Sequence, residues 1–254
     1  MRGRPLTALP RRLLTRQDAG SLDLDPLPRS APCQYDSCPR RSGEVGSNAT
    51  DPRLNWVNSF PVTGVRYGLE YFGPLFWGGA GPDLAVAGPN VGGNTFLQVP
   101  FSGTVGAAVY AAARGVPAVA FSGAAGGNPA FDTQPVPARS EAYARLAARL
   151  VDALAAAGPP YLPPGVWLNV NFPDVETRCP APDAYRFVLS RINPGFLSAP
   201  DAALCGGRRL PTETEVLDAC HVSVSPGDAA DKTTVDAERQ AIVAKKLRGL
   251  LSCL

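Results

Sequence analysis

The chain has 254 residues, enough for one large α/β domain or two small ones with a real core. Its hydrophobic fraction of 45% is ordinary for a globular protein. With 24 basic and 22 acidic residues the net charge is +2, so no electrostatic argument favours a nucleic-acid or membrane partner, and no apolar run reaches the roughly 18 residues of a membrane span.

Residues 1–53 are rich in Pro, Arg, Ser and Gly without periodicity, which predicts an irregular segment. A secretory leader needs a continuous apolar core of about seven or more residues. The opening MRGRPLTALPRRLLTRQDAG is broken by Pro5, Pro10, Arg11, Arg12 and Arg16 and has none. Cys33 and Cys38 can pin a small loop, and Asn48-Ala49-Thr50 is an N-glycosylation sequon. The ordered domain is predicted over 54–254, starting with a helix around Val62–Tyr71 entered after Pro61.

The six cysteines leave several connectivities open. Nearest-neighbour pairing is expected: Cys33–Cys38, Cys179–Cys205 and Cys220–Cys253. Zinc is the rival reading, disfavoured by a single histidine and uneven spacing. Paired cysteines with a sequon lean towards an oxidising, secretory setting.

The most informative stretch is Pro82–Gly123. Leu84–Ala87 is an apolar run, followed by Gly88-Pro89-Asn90 and a loop with Gly92, Gly93 and Asn94. Ser102-Gly103-Thr104 opens a run of small residues ending at Arg114-Gly115, and Pro117–Phe121 predicts a second buried strand. In such a strand–helix–strand unit the loop after the first strand faces the ligand crevice. A helix entered through Ser-Gly-Thr offers unpaired amides, two hydroxyls and a positive dipole end, an anion site with phosphate as the obvious guest. Ser122-Gly123 reads as a turn.

Residues 124–139 form a Gly/Pro-rich connection. Ser140 can cap a helix with Tyr143, Leu146, Ala147, Leu150, Val151 and Leu154 on one face, stopped by Gly158-Pro159-Pro160. Val166–Phe172 alternates as a strand, Tyr185–Ile192 and His221–Ser225 are further strands, and Asp236–Cys253 is a closing helix. There is no GxSxG elbow, so His221 beside Cys220 reads as structural rather than as the base of a serine hydrolase.

GPN at Gly88–Asn90, SGTVGAA at Ser102–Ala108, LNVNFP at Leu168–Pro173 and VSVSPGDAADKTT at Val222–Thr234 together resemble the SurE-type survival proteins, metal-dependent nucleotidases and phosphatases. PCQYDSCP at Pro32–Pro39 and RLNWVNSFPVT at Arg53–Thr63 resemble the secreted fungal branch often labelled acid phosphatase. The resemblance covers roughly residues 20–254. It implies a three-layer, Rossmann-like α/β fold with a smaller β-rich extension around Tyr185–Ser225 that serves dimer contacts. It implies hydrolysis of nucleoside monophosphates or other phosphate monoesters with Mg²⁺ or Mn²⁺. Asn90 matches the family's metal-ligand asparagine, Ser102, Gly103 and Thr104 match its phosphate cradle, and Asn94 is expected to point towards substrate.

The family pattern also has two adjacent aspartates ending a first strand and a serine on a following loop. This chain has no Asn-Asp-Asp-Gly sequence. The expectation is that the opening strand–helix–strand is missing with those ligands, Asp18 being a doubtful substitute near the serine's place. A truncated or mispredicted gene start would account for this and for the absent leader together, the intact product being secreted. Catalytic residues stay unassigned, and impaired activity and exposed apolar surface are expected of the chain as written. The alternative is a non-catalytic phosphate- or nucleotide-binding domain. The polar loop with Asp228, Asp231 and Lys232 resembles a family feature near the site and is given no chemistry.

Overall fold

The computed structural model describes residues 33–38, 45–124, 126–179 and 185–254. Asp18 lies outside them. In chain order, β1 (Val45–Ser47) pairs antiparallel with β2 (Asn55–Val57), so the boundary drawn after residue 53 falls within a small two-stranded sheet. The segment expected to be irregular therefore contains a strand. The sequon lies between the two strands, where the Asn48 carboxamide oxygen accepts from the Thr50 amide at 2.8 Å and from its hydroxyl at 2.7 Å.

Pro61 then opens α1 (Pro61–Tyr67), which runs through a π-turn at Gly68–Phe72 into α2 (Gly73–Phe76). The predicted strand–helix–strand unit follows as β3 (Ala85–Val91), α3 (Gly103–Ala112) and β4 (Ala118–Gly123). The remaining elements are α4 (Ala138–Ala157), β5 (Val166–Phe172), β6 (Phe187–Leu189), α5 (Glu213–Asp218), β7 (Val222–Asp228), α6 (Ala237–Lys246) and β8 (Leu251–Ser252).

Six strands form one mixed sheet in the order β3-β4-β5-β7-β6-β8. β3, β4 and β5 run parallel, β7 runs antiparallel to β5, and β6 and β8 continue parallel to β7. Residue size decides which helix covers which face. Ala118 and Ala120 of β4 face Val105, Ala108, Ala111 and Ala112 of α3, small against small, so helix and sheet approach closely. Val119 and Phe121 face the other way, onto Tyr143, Leu146, Leu150 and Leu154 of α4, with Val243 of α6 and Leu247 just after it in the same cluster. The Tyr143 and Phe172 rings stack at 5.2 Å in that core. The result is the expected three-layer, Rossmann-like α/β arrangement.

Several boundaries move for local reasons. The long helix begins at Ala138 behind Pro137, so Ser140 lies within its first turn and does not cap it. The closing helix stops at Lys246, and Leu251–Ser252 leave it to become edge strand β8. The segment read as a β-rich extension gives β6 and β7 to the main sheet, and residues 193–212 make an excursion between them. A buried ion pair, Arg191 Nη1 to Asp201 Oδ2 at 2.5 Å, anchors that excursion, and Gln240 of α6 donates to Asp201 Oδ1 at 2.8 Å. At the opposite edge β3 is the outermost strand among the described residues, with Val86 51% and Val91 46% exposed.

All six cysteines are paired, which leaves no thiolate for zinc. Cys33–Cys38 forms as expected, but the other two bonds are Cys179–Cys220 and Cys205–Cys253, correcting the nearest-neighbour pairing. The sheet decides this. The end of α5 delivers Cys220 to the turn after β5, while edge strand β8 carries Cys253 to the excursion. Non-reducing peptide mapping is expected to recover the 179–220 and 205–253 linked peptides, and a 179–205 peptide would contradict this topology.

Candidate phosphate site at the strand ends

The site grows from the carboxyl ends of the three parallel strands. Gly88 has φ +93, a region costly for residues with a side chain, and an added Cβ would lie 2.2 Å from the Phe121 carbonyl oxygen. Only glycine lets β3 bulge there. The resulting register shift sets Asn90 beside Ser122 of β4, and Ser122 beside Asn171 of β5. Three polar side chains thus stand in a row where the chain leaves the sheet.

A buried hydrogen-bond network ties this row to the loop after β3. Asn171 Oδ1 accepts from the Asn94 amide at 2.8 Å and from the Ser122 hydroxyl at 2.5 Å. The Asn94 carbonyl accepts from Asn169 Nδ2 at 2.6 Å and from Asn171 Nδ2 at 3.3 Å. The Asn94 side chain in turn donates to Asn90 Oδ1 at 2.8 Å, and Asn90 Nδ2 donates to the carbonyls of Val91 and Gly92, each at 3.0 Å. Asn94, expected to face substrate, is 5% exposed and its amide group orients Asn90.

The predicted cradle lies beside it. Ser102 caps α3, its hydroxyl accepting from the Val105 amide at 3.2 Å. Gly103 and Thr104 follow as the first helical residues, whose amides the helix itself cannot pair. Gly103 lies against Pro61, where a Cβ would come 3.0 Å from the ring, so α1 and α3 meet at the cradle. Thr104 and Asn90 line one cavity of about 380 Å³ with Gly64, Val65 and the β3 backbone. On the other side of Asn90, a second cavity of about 340 Å³ is lined by Asn128, Phe131, Arg139 and Tyr143. The Asp228–Thr234 loop also reaches this end of the molecule. Lys232 Nζ donates to the Pro100 carbonyl at 3.3 Å, two residues before the cap.

Four residues of this network carry no role in the sequence reading. Ser122 is no turn residue but a fully buried strand residue, and Asn169, Asn171 and Glu213 are buried with it. One signal was available. Two asparagines at alternate positions of a central strand demand partners that the strand's own ladder does not supply. Glu213 left no local trace, because its partners come from β5, β7 and the loop after β3. Burial pushes its carboxyl up to about 8, against hydrogen bonds from Asn169, Ser225 and the Phe96 amide that favour the charged form. His221 has Nδ1 2.9 Å from the Cys220 carbonyl oxygen.

A family model described as Survival protein SurE matches residues 31–193. The chain belongs to the SurE family. It is 29% identical over 222 residues to an acid phosphatase of Yarrowia lipolytica, covering 76% of this chain and 62% of that protein. It is 42% identical over 117 residues to 5′-nucleotidase SurE 1 of Thermus thermophilus, covering 46% of this chain and 39% of that one. The chain thus spans about three-fifths and two-fifths of these relatives. The crystal structure of the SurE protein from Aquifex aeolicus superposes with a TM-score of 0.51 at 19% identity, covering 74% of this chain and 75% of that one, which supports the fold.

The metal implied by the resemblance meets a poor donor set here. Asn90 offers one neutral carboxamide oxygen that already accepts from Asn94, whereas hard divalent cations want several oxygens with carboxylates among them. Among the described residues no group of three or more His, Cys, Asp or Glu is placed to hold an ion. These residues alone do not fit Mg²⁺ or Mn²⁺.

Two outcomes follow from the network. Asn171→Ala strands the Asn94 amide and the Ser122 hydroxyl and is expected to cost about 1–3 kcal/mol in urea unfolding. Glu213 has a folded-state value raised from 4.5 to about 8, the reverse of a salt-bridged acid, so the folded chain binds more protons across that window. Stability is expected to fall as pH rises between these values and to level off above, and the Glu213→Gln variant is expected to lack this component.

Proposed function

We propose that the chain binds the phosphate of small phosphate monoesters, nucleoside monophosphates among them, and that it belongs to a phosphomonoesterase. The observation that supports this most directly is the shared cavity of Asn90 and Thr104, which runs along α3 to Ala107 and Ala108 and has Asn90, oriented by Asn94, on its β3 side. Helix amides, the Thr104 hydroxyl and the helix dipole complement an anion. The names of the relatives, acid phosphatase and 5′-nucleotidase, support the same substrate class.

Within this reading Gly103 and Thr104 receive phosphate oxygens, Ser102 holds the turn open for them, and Asn94 fixes which atoms of Asn90 face the cavity. A divalent metal, when bound, would polarise the phosphoryl group and supply an activated water. It requires carboxylates that the described residues do not bring to Asn90. That mismatch favours a second reading, a non-catalytic phosphate- or nucleotide-binding domain. The proposal treats 54–254 as the SurE-like unit. It also includes an extracellular setting, supported by three disulfides and an exposed sequon, and dimer contacts through the 193–212 excursion, where Phe196 and Leu197 are 93% and 102% exposed.

Hydrolysis of p-nitrophenyl phosphate and AMP, with added Mn²⁺ or Mg²⁺ and with EDTA, separates the readings when paired with calorimetric titration of inorganic phosphate. Chelator-sensitive turnover supports the phosphomonoesterase. Phosphate binding that survives EDTA without turnover supports the binding domain. Neither binding nor turnover from folded protein overturns both. Thr104→Val, which removes the hydroxyl at nearly constant volume, is expected to weaken phosphate affinity about tenfold.

A further inference from the structure

We infer that Glu213 is a positioning residue of the phosphate site, clamping the loop after β3 from α5 and through that loop holding Asn90. The inference rests on the role proposed for Asn90 and adds a residue far from it in sequence.

The clamp is built from four observed contacts. Glu213 Oε1 accepts from Asn169 Nδ2 at 2.7 Å and Oε2 accepts from the Phe96 amide at 3.3 Å. The same Asn169 amide nitrogen donates to the Asn94 carbonyl at 2.6 Å, and Asn94 donates to Asn90 Oδ1 at 2.8 Å. The carboxyl group thus grips the loop directly at Phe96 and, through Asn169, at Asn94. Thr212 and Glu215 form a capping box that fixes the start of α5, with Glu213 as its first residue, 1% exposed.

Two features separate this acid from an ordinary core position. No cation faces it. Its neighbours are Asn169 of β5, Ser225 of β7 and the Phe96 amide, while Arg191, whose carbonyl accepts from the Glu213 amide, has its guanidinium on Asp201. A buried acid without a counter-charge destabilises the fold. The loop it grips is itself strained, because Phe96 has φ +38, a left-handed conformation that a bulky residue adopts only at a cost. Such a conformation persists only where its surroundings hold it, and Glu213 bonds the amide of that residue. Glutamine cannot replace the carboxyl in full: even protonated, a carboxyl keeps an acceptor on each oxygen, whereas the NH₂ group of glutamine would point at a donor.

The test uses the full 254-residue chain. Amide hydrogen exchange by NMR is compared for wild type, Glu213→Gln and Glu213→Asp, together with kcat and KM for p-nitrophenyl phosphate and titration with inorganic phosphate. In Glu213→Gln the Asn94 and Phe96 amides are expected to exchange about tenfold faster while β4 and β5 amides keep wild-type rates. Its kcat is expected to fall about tenfold with KM changed by less than about twofold, and Glu213→Asp, which keeps a carboxyl acceptor, to recover part of the loss. Wild-type exchange at both loop amides in a folded Glu213→Gln would overturn the clamp, and an unchanged kcat would overturn its role in positioning. Should the variants not fold, the wild-type Phe96 amide shift decides. One transition well above the ordinary carboxyl range supports the contact, and a flat profile or an ordinary transition refutes it. A wild-type chain that neither binds phosphate nor turns over substrate overturns the functional reading, and the exchange data then judge the clamp on their own.

Discussion

The main chain of Asn94 is held between two buried asparagines of β5, and the arrangement of the strand ends depends on that grip. Asn171 takes the Asn94 amide, and Asn169 takes its carbonyl. An unpaired polar group in a core costs on the order of 1–3 kcal/mol, so these side chains are tolerable only when the loop lies on them. The constraint is reciprocal. The loop is held because it pairs with Asn171 and with the Asn169 amide nitrogen, although Asn169 Oδ1 stays buried without a partner among the described residues. Asn90 inherits its orientation from this exchange through the Asn94 side chain.

The same economy shapes the sheet. Alanines on one side of β4 let α3 come close, so its first turn reaches the strand ends, while valine and phenylalanine on the other side fill the space under α4. Gly88 adds the bulge that moves Asn90 into line with Ser122. Under the proposed reading an anion at the start of α3 would meet the Thr104 hydroxyl and helix amides, while both donors of the Asn90 carboxamide are taken by the Val91 and Gly92 carbonyls. What the described residues do not supply is negative charge at that point. The nearest buried carboxyl in the network, Glu213, faces the loop from behind and not the cavity. A binding cradle and a metal centre are separable in this architecture, since the first needs donors and the second needs acceptors.

Local pattern made much of this legible. The Ser-Gly-Thr entry, the glycine-rich loop and the two flanking apolar runs predict β3, α3 and β4, and they predict an anion at the crevice, because capping and strand periodicity act within a few residues. The strand over Val166–Phe172 is found at the predicted bounds. The alternation that predicts it gives its asparagines no role, although β5 is buried on both faces. The fate of Ser140 shows how a proline three residues earlier overrides a good cap.

The sequence by itself determined the family, the layer order and the start of α3, all of which rest on short-range chemistry and on the periodicity of apolar residues. Only the tertiary structure decided the partners of Cys179, Cys205, Cys220 and Cys253, the inward turn of Asn94 and the placement of Glu213 against Asn169 and Phe96. Those choices join segments up to 117 positions apart. A buried donor or acceptor must find a partner somewhere, and the sequence does not state where, because the sheet order that brings the segments together is itself a product of packing.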